Sequence, residues 1–141
     1  MKLLVDTNIL ISALIKDGAT RKLLFHLDAE LLTIALLEQE IKKYQAMILE
    51  KAEIDISIFN RIFETLKARI TFLEDDLFIP FMPFASELMD PIDPGDTPFL
   101  AAALATGSEI WSDDTHFQQQ TRVKVWTTSH LLHFLEHKTY K

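Results

Sequence analysis

Asp6, Glu38, Asp96 and Asp114 each stand where an apolar run gives way to the start of a helix or a loop. In an open α/β sheet the strand ends converge on one crevice, so carboxylates far apart in sequence become neighbours there. The simplest use for such a gathering is to hold a divalent cation. An all-oxygen set suits Mg²⁺ or Mn²⁺, whereas zinc sites draw on Cys and His. This chain has no Cys, and none of its histidine pairs has a carboxylate partner in view. The chemistry expected is metal-dependent hydrolysis.

Each acid also has a plainer reading. Asp6 directly follows Leu3-Leu4-Val5, and a carboxylate at the end of a buried strand is poorly solvated unless it caps the next helix or binds a cation. Metal binding is preferred for it, with Asn8 orienting it or capping the helix. Glu38 lies in the first turn of a helix, where the macrodipole favours any Glu, and its functional reading depends on the other acids. Its neighbours Glu40, Lys42 and Lys43 read as a solvated face. Asp96 heads an Ala-rich helix and is read as a ligand, with Asp93 in the preceding turn as an accessory. Asp113 and Asp114 come directly after Ile110-Trp111-Ser112, and adjacent carboxylates repel unless a cation or solvent relieves them. Asp114 is taken as the ligand and Asp113 as accessory, while Ser112 is placed to fix a ligand water or a substrate phosphate. Among the histidines only His116, beside this acidic loop, warrants watching.

The elements that must position these groups are set by periodicity. Leu3-Leu4-Val5 reads as a buried strand feeding a helix marked by Ile9, Leu10, Ala13 and Leu14. A short helix carries Leu23, Leu24 and Leu27, and a second strand covers the run from Leu31 to Leu36. Leu37, Ile41, Tyr44 and Ile48 predict one long helix, and Phe59, Ile62, Phe63, Leu66 and Ile70 another, capped by Asp55 or Ser57. The stretch from Ile70 to Ile79 reads either way, and Pro80 and Pro83 restrict the residues after it to a turn or a helix start. Asp90-Pro-Ile-Asp-Pro-Gly-Asp96 is a dense turn opening onto Phe99 to Ala105, with Gly107 as the stop. Strands at Glu109 to Trp111 and Val123 to Trp126 and a last helix with Leu131, Leu132 and Leu135 complete the alternation. Strands alternating with helices imply an α/β fold, a mostly parallel sheet sandwiched by helices in three layers.

The 141 residues fit one domain, 1–141, of ordinary composition for a globular protein, 48% hydrophobic and 25% charged. The lack of Cys excludes disulfide and thiolate chemistry and fits a reducing cytoplasm. The apolar run at the N-terminus is too short for a signal sequence, and no window reaches the roughly 18 apolar residues of a membrane span. A cytoplasmic protein with no membrane partner is expected. The net charge of −7 argues against nucleic acid only until a metal is counted, since each Mg²⁺ returns two positive charges where a phosphate would sit.

Four segments in order resemble the PIN domain, a family of small Mg²⁺- or Mn²⁺-dependent nucleases that includes VapC-type toxin ribonucleases. They are Leu4-Val5-Asp6-Thr7-Asn8-Ile9-Leu10, the region of Glu38, Asp96-Thr97-Pro98-Phe99-Leu100 with the alanines after it, and Trp111-Ser112-Asp113-Asp114-Thr115-His116-Phe117. The resemblance spans the chain. It implies a sheet of about five parallel strands, an acidic pocket, a homodimer, single-stranded RNA as substrate and, for a toxin, an antitoxin partner at the pocket edge. On this reading Asp6, Glu38, Asp96 and Asp114 are catalytic, and Asp6, Asp96 and Asp114 hold the metal.

Two competing readings exist. A haloacid-dehalogenase-type phosphatase also places an Asp after its first strand, but needs a second Asp two residues on, where this chain has Asn8. A non-catalytic module could keep the fold and the metal for RNA or partner binding, although the intact acid set argues against a degenerate site.

Overall fold

A computed structural model of the protein describes residues 1–139, so residues 140–141 of the expected domain lie outside the described residues. Five strands form one sheet in the order β3-β2-β1-β4-β5, all parallel. They are β1 (Lys2–Val5), β2 (Glu30–Ile34), β3 (Ile70–Leu73), β4 (Glu109–Trp111) and β5 (Val125–Trp126). Leu3, Leu4 and Val5 are fully buried, as expected of a central parallel strand covered on both faces. Leu4 pairs with Leu32 on one side and Ile110 on the other. β3 and β5, at the edges, are less completely buried.

The helices are α1 (Thr7–Ile15), α2 (Ala19–His26), α3 (Leu36–Lys43), α4 (Gln45–Ala52), α5 (Ile56–Lys67), α6 (Asp75–Phe78), α7 (Met82–Met89), α8 (Thr97–Thr106) and α9 (Thr128–Thr139). They flank the sheet in the expected three-layer α/β/α arrangement. The chain leaves β1 toward β2 on one side, while β4 pairs on the other, which makes the carboxyl ends of β1 and β4 the topological switch point of the sheet. Asp6 and Ser112 are the residues immediately beyond those two ends.

α8 packs against β1, β2 and β4 on one side and against α6 and α7 on the other. Its alanines explain the close approach: Ala101, Ala102 and Ala103 are buried alongside Phe99 and Leu100. Gly107 ends the helix at φ 64°, donating to the carbonyls of Ala103 and Leu104, a left-handed position where a side chain would be strained. Two arginines serve the fold rather than a ligand. Arg21 donates to Ala13 O at 2.7 Å, and Arg69 donates to Leu24 O and Leu27 O at the end of α2. Among the described residues no helix is long and apolar enough to cross a membrane.

The long helix expected from Leu37 to Ile48 is broken at Tyr44, where φ −99° and ψ 7° separate α3 from α4. No Gly or Pro marks the break, and its consequence is tertiary: Tyr44 and Met47 turn into a cleft at the switch point. The ambiguous stretch resolves into β3, an extended Glu74 and α6. Asp55 is the cap of α5, accepting from Ile58 N at 2.9 Å.

Candidate metal centre

The cleft at the switch point has a volume of about 390 Å³, and its walls carry Asp6, Glu40, Asp93, Asp96 and Asp114. Asp6 is only 3% exposed. Its Oδ1 accepts from Ile9 N at 3.1 Å, capping α1, and its Oδ2 accepts a very short hydrogen bond from the Ser112 hydroxyl. The two expectations for Asp6 are therefore compatible, because capping occupies one oxygen and leaves the carboxylate on the cleft wall. The same Ser112 Oγ accepts from Asp114 N at 3.0 Å, so one buried hydroxyl ties the end of β1 to the loop after β4. The strand end itself is pinned by Thr33 Oγ1, which donates to Val5 O at 2.8 Å.

The turn before α8 is organised by its own acids. Asp93 Oδ1 accepts from Gly95 N at 2.9 Å, and Asp90 Oδ1 accepts from Thr97 Oγ1 at 2.6 Å. A Cβ on Gly95 would approach Asp93 Oδ1 to 3.2 Å, so a small residue keeps this turn tight. Asp96 then projects its carboxylate toward His116, which reaches in from the opposite loop. His116 Nδ1 lies 3.1 Å from Asp93 Oδ2, 3.6 Å from Asp96 Oδ2 and 3.4 Å from Asp114 Oδ1. These are ion-pair distances without hydrogen-bond geometry: Asp96 Oδ2 and His116 Nδ1 are both buried atoms with no hydrogen-bond partner.

The electrostatics reflect this crowding. Burial, reinforced by the charges of Asp96 and Asp114 and opposed by the Ser112 and Ile9 hydrogen bonds, pushes the Asp6 carboxyl up to about 7. Burial, then the neighbouring charges of Asp93, Asp114 and Glu40, pushes Asp96 up to about 6, with His116 opposing. Carboxylates crowded and buried in this way favour a nearby positive charge. One ligand atom each from Asp93, Asp96 and His116 lies within 4.8 Å of the others, a span that a single ion can bridge.

The structure thus brings Asp6, Asp96 and Asp114 together with Asp93, and Asn8 also lines the cleft. Asp6, however, is held by Ile9 and Ser112 rather than by Asn8. Ser112 is completely buried and committed to Asp6 and Asp114, which corrects its expected role of touching water or phosphate. Asp113 turns away and caps α9, accepting from Thr128 N and Oγ1 at 2.7 Å each. Glu38 is the main correction. Its carboxylate pairs with Lys67 of α5 at 3.5 Å and does not line the cleft. Glu40 lines it instead, accepting from the buried Thr7 hydroxyl at 2.6 Å.

The sequence carried a signal for Glu40. It lies three residues after Leu37 and four before Tyr44, on the stripe that turns inward, while Glu38 is one position off that stripe. His116 was marked in the sequence by its place beside Asp113 and Asp114, but its approach to Asp93 and Asp96 was not, since the loop from Ser112 to Phe117 and the turn from Asp90 to Asp96 meet only in three dimensions.

The family model of the PIN domain matches residues 4–136. No curated protein matches in sequence. Among solved structures, a chain from the crystal structure of VapBC2 from Rickettsia felis, bound to a DNA fragment from their promoter, is similar in fold at 13% identity. Its TM-score is 0.65, and the alignment covers 90% of this chain and 98% of that one.

Proposed function

Because the chain belongs to the PIN domain family, we propose that it is a divalent-metal-dependent endoribonuclease that hydrolyses phosphodiester bonds of single-stranded RNA. The observation that carries this reading is the pair of buried, unpartnered atoms, Asp96 Oδ2 and His116 Nδ1, set among the carboxylates of Asp6, Asp93 and Asp114. Orphaned polar atoms are costly in a folded protein unless a ligand satisfies them. The donor set fits Mg²⁺ or Mn²⁺.

Asp6, Asp96 and Asp114 would hold the ion, and Asp93, whose Oδ1 steadies the turn that presents Asp96, would join them through Oδ2. Ser112 fixes the Asp6 carboxylate and the Asp114 backbone at once, so these two acids hold their separation. Glu40, braced by Thr7, would complete the pocket, the role expected of Glu38. A bound divalent cation supplies a water of lowered pKa and offsets charge building on the phosphate. The acidic wall itself repels the RNA backbone, so substrate binding should depend on metal as well as turnover.

The similar chain comes from VapBC2, which supports a toxin paired with an antitoxin; cytoplasmic location, a homodimer and an antitoxin seated at the cleft edge belong to the same proposal.

The test is cleavage of a mixed-sequence single-stranded RNA with Mn²⁺, with EDTA, and by Asp96→Asn protein prepared in parallel. Cutting that requires Mn²⁺ and disappears in the variant is the expected result. Metal binding with tight RNA binding but no cutting would replace this reading with that of a non-catalytic RNA-binding module.

A further inference from the structure

We infer that His116 is itself a metal ligand, donating Nδ1 to the cation held by Asp93 and Asp96, so that the centre is a mixed nitrogen and oxygen site. The inference rests on the proposed metal centre and departs from the all-oxygen set expected of the sequence.

Although the His116 side chain is 41% exposed, its Nδ1 is buried. That nitrogen is surrounded by Asp93 Oδ2, Asp96 Oδ2 and Asp114 Oδ1 at 3.1, 3.6 and 3.4 Å. None of the three contacts has hydrogen-bond geometry, and Nδ1 has no hydrogen-bond partner. A buried ring nitrogen set among three carboxylate oxygens without bonding to any of them is placed as a ligand atom is.

The ring is also anchored in place. His116 N donates to Asp114 Oδ1 at 2.9 Å, and the next residue, Phe117, is completely buried. The imidazole therefore starts from a fixed backbone rather than from a free loop. Asp93, Asp96 and His116 offer three ligand atoms within 4.8 Å of one another, drawn from the turn before α8 and the loop after β4.

An imidazole nitrogen changes which metal the site selects. Mg²⁺ demands oxygen and dehydrates reluctantly, whereas first-row ions from Mn²⁺ onward accept nitrogen with increasing affinity. The centre should accordingly discriminate against Mg²⁺ in favour of Mn²⁺ and its heavier neighbours.

The experiment is pulsed EPR on Mn²⁺-loaded protein, unlabelled and labelled with ¹⁵N-histidine, together with calorimetric titration of Mn²⁺ and Mg²⁺ into wild-type and His116→Asn protein. The expected result is a directly coordinated ¹⁴N that becomes ¹⁵N on labelling and is lost in the variant. The preference for Mn²⁺ over Mg²⁺ should fall by about tenfold or more in the variant. The labelling result on wild-type protein stands even where the variant folds poorly. Bound Mn²⁺ with no histidine nitrogen, or a nitrogen signal that persists in His116→Asn, overturns the assignment of His116 and leaves the metal centre standing. Failure of wild-type protein to bind Mn²⁺ overturns both readings.

Discussion

Two groups of carboxylates, one at the switch point and one on the flank, differ in what neutralises them. At the switch point, Asp6, Asp93, Asp96 and Asp114 crowd one cleft in which a single imidazole faces three of them, and two of the four are held well above the ordinary carboxyl value. On the flank, Glu38 and Glu64 share the Lys67 ammonium at 3.5 and 2.9 Å, and that ammonium also sits 4.8 Å above the Phe63 ring. The flank group is solvated and has an ammonium between its two carboxylates. The cleft group is buried and mismatched, which is the condition a cation relieves. The largest effect should separate the two. Asp6→Asn should lower Mn²⁺-dependent RNA cleavage by about a hundredfold or more, while Glu38→Gln should leave it within about twofold. Steady-state rates on one RNA decide the matter, and comparable losses in both variants would erase the distinction.

The mismatch should also be visible without substrate. Asp6 and Asp96 are raised from 3.8 to about 7 and about 6, so the folded state binds protons more readily than the unfolded chain. Stability drawn from them is complete below the unfolded value and is lost as pH rises through 6 and 7. Metal-free protein in EDTA should therefore melt a few degrees lower at about pH 7.5 than at about pH 5. Asp6→Asn, which keeps a neutral side chain there at both values, should show a smaller drop. Excess Mn²⁺ should flatten the wild-type trend, because metal binding favours the ionised carboxylates. A wild-type melting temperature that rises over the same interval in EDTA would mean that the acids are not trapped as the cleft geometry requires.

The contrast also explains what was legible in the sequence. Alternation of apolar runs and helical stripes pointed to the parallel sheet, and Asp6, Asp96 and Asp114 were readable because each follows a strand or opens a helix at the same edge. Those placements are local. Glu38 misleads because the first apolar residues of its helix do not set the orientation of the face behind them. Glu40 is drawn in by the hydroxyl of Thr7, 33 residues away in sequence, a partner that the helical stripe alone does not reveal. Ser112 was readable as a site residue but not as the tether it is, since its partner Asp6 lies 106 residues away. Asp113 and Asp114 are adjacent in sequence, yet one caps α9 and the other lines the cleft. That division is made by the start of α9, which no adjacent residue reveals.

The smallest effect belongs to the flank. Lys67→Gln removes the ammonium from both Glu38 and Glu64 while keeping most of the stem over Phe63. The side chains of Glu38 and Glu64 are 40% and 71% exposed, so water takes over much of what Lys67 provided. The ammonium is held in its charged form first by the hydrogen bond to Glu64, with Glu38 a weaker contributor and burial opposing, so loss of the Glu38 pair alone is a small part of the change. Thermal or urea unfolding should accordingly register a loss below about 1 kcal/mol. Mn²⁺ affinity and RNA cleavage should stay at wild-type levels, because none of these three side chains faces the cleft. A fall in Mn²⁺ affinity in Lys67→Gln would show that freeing Glu38 alters the centre, and that the two carboxylate groups are coupled through α3 rather than separate.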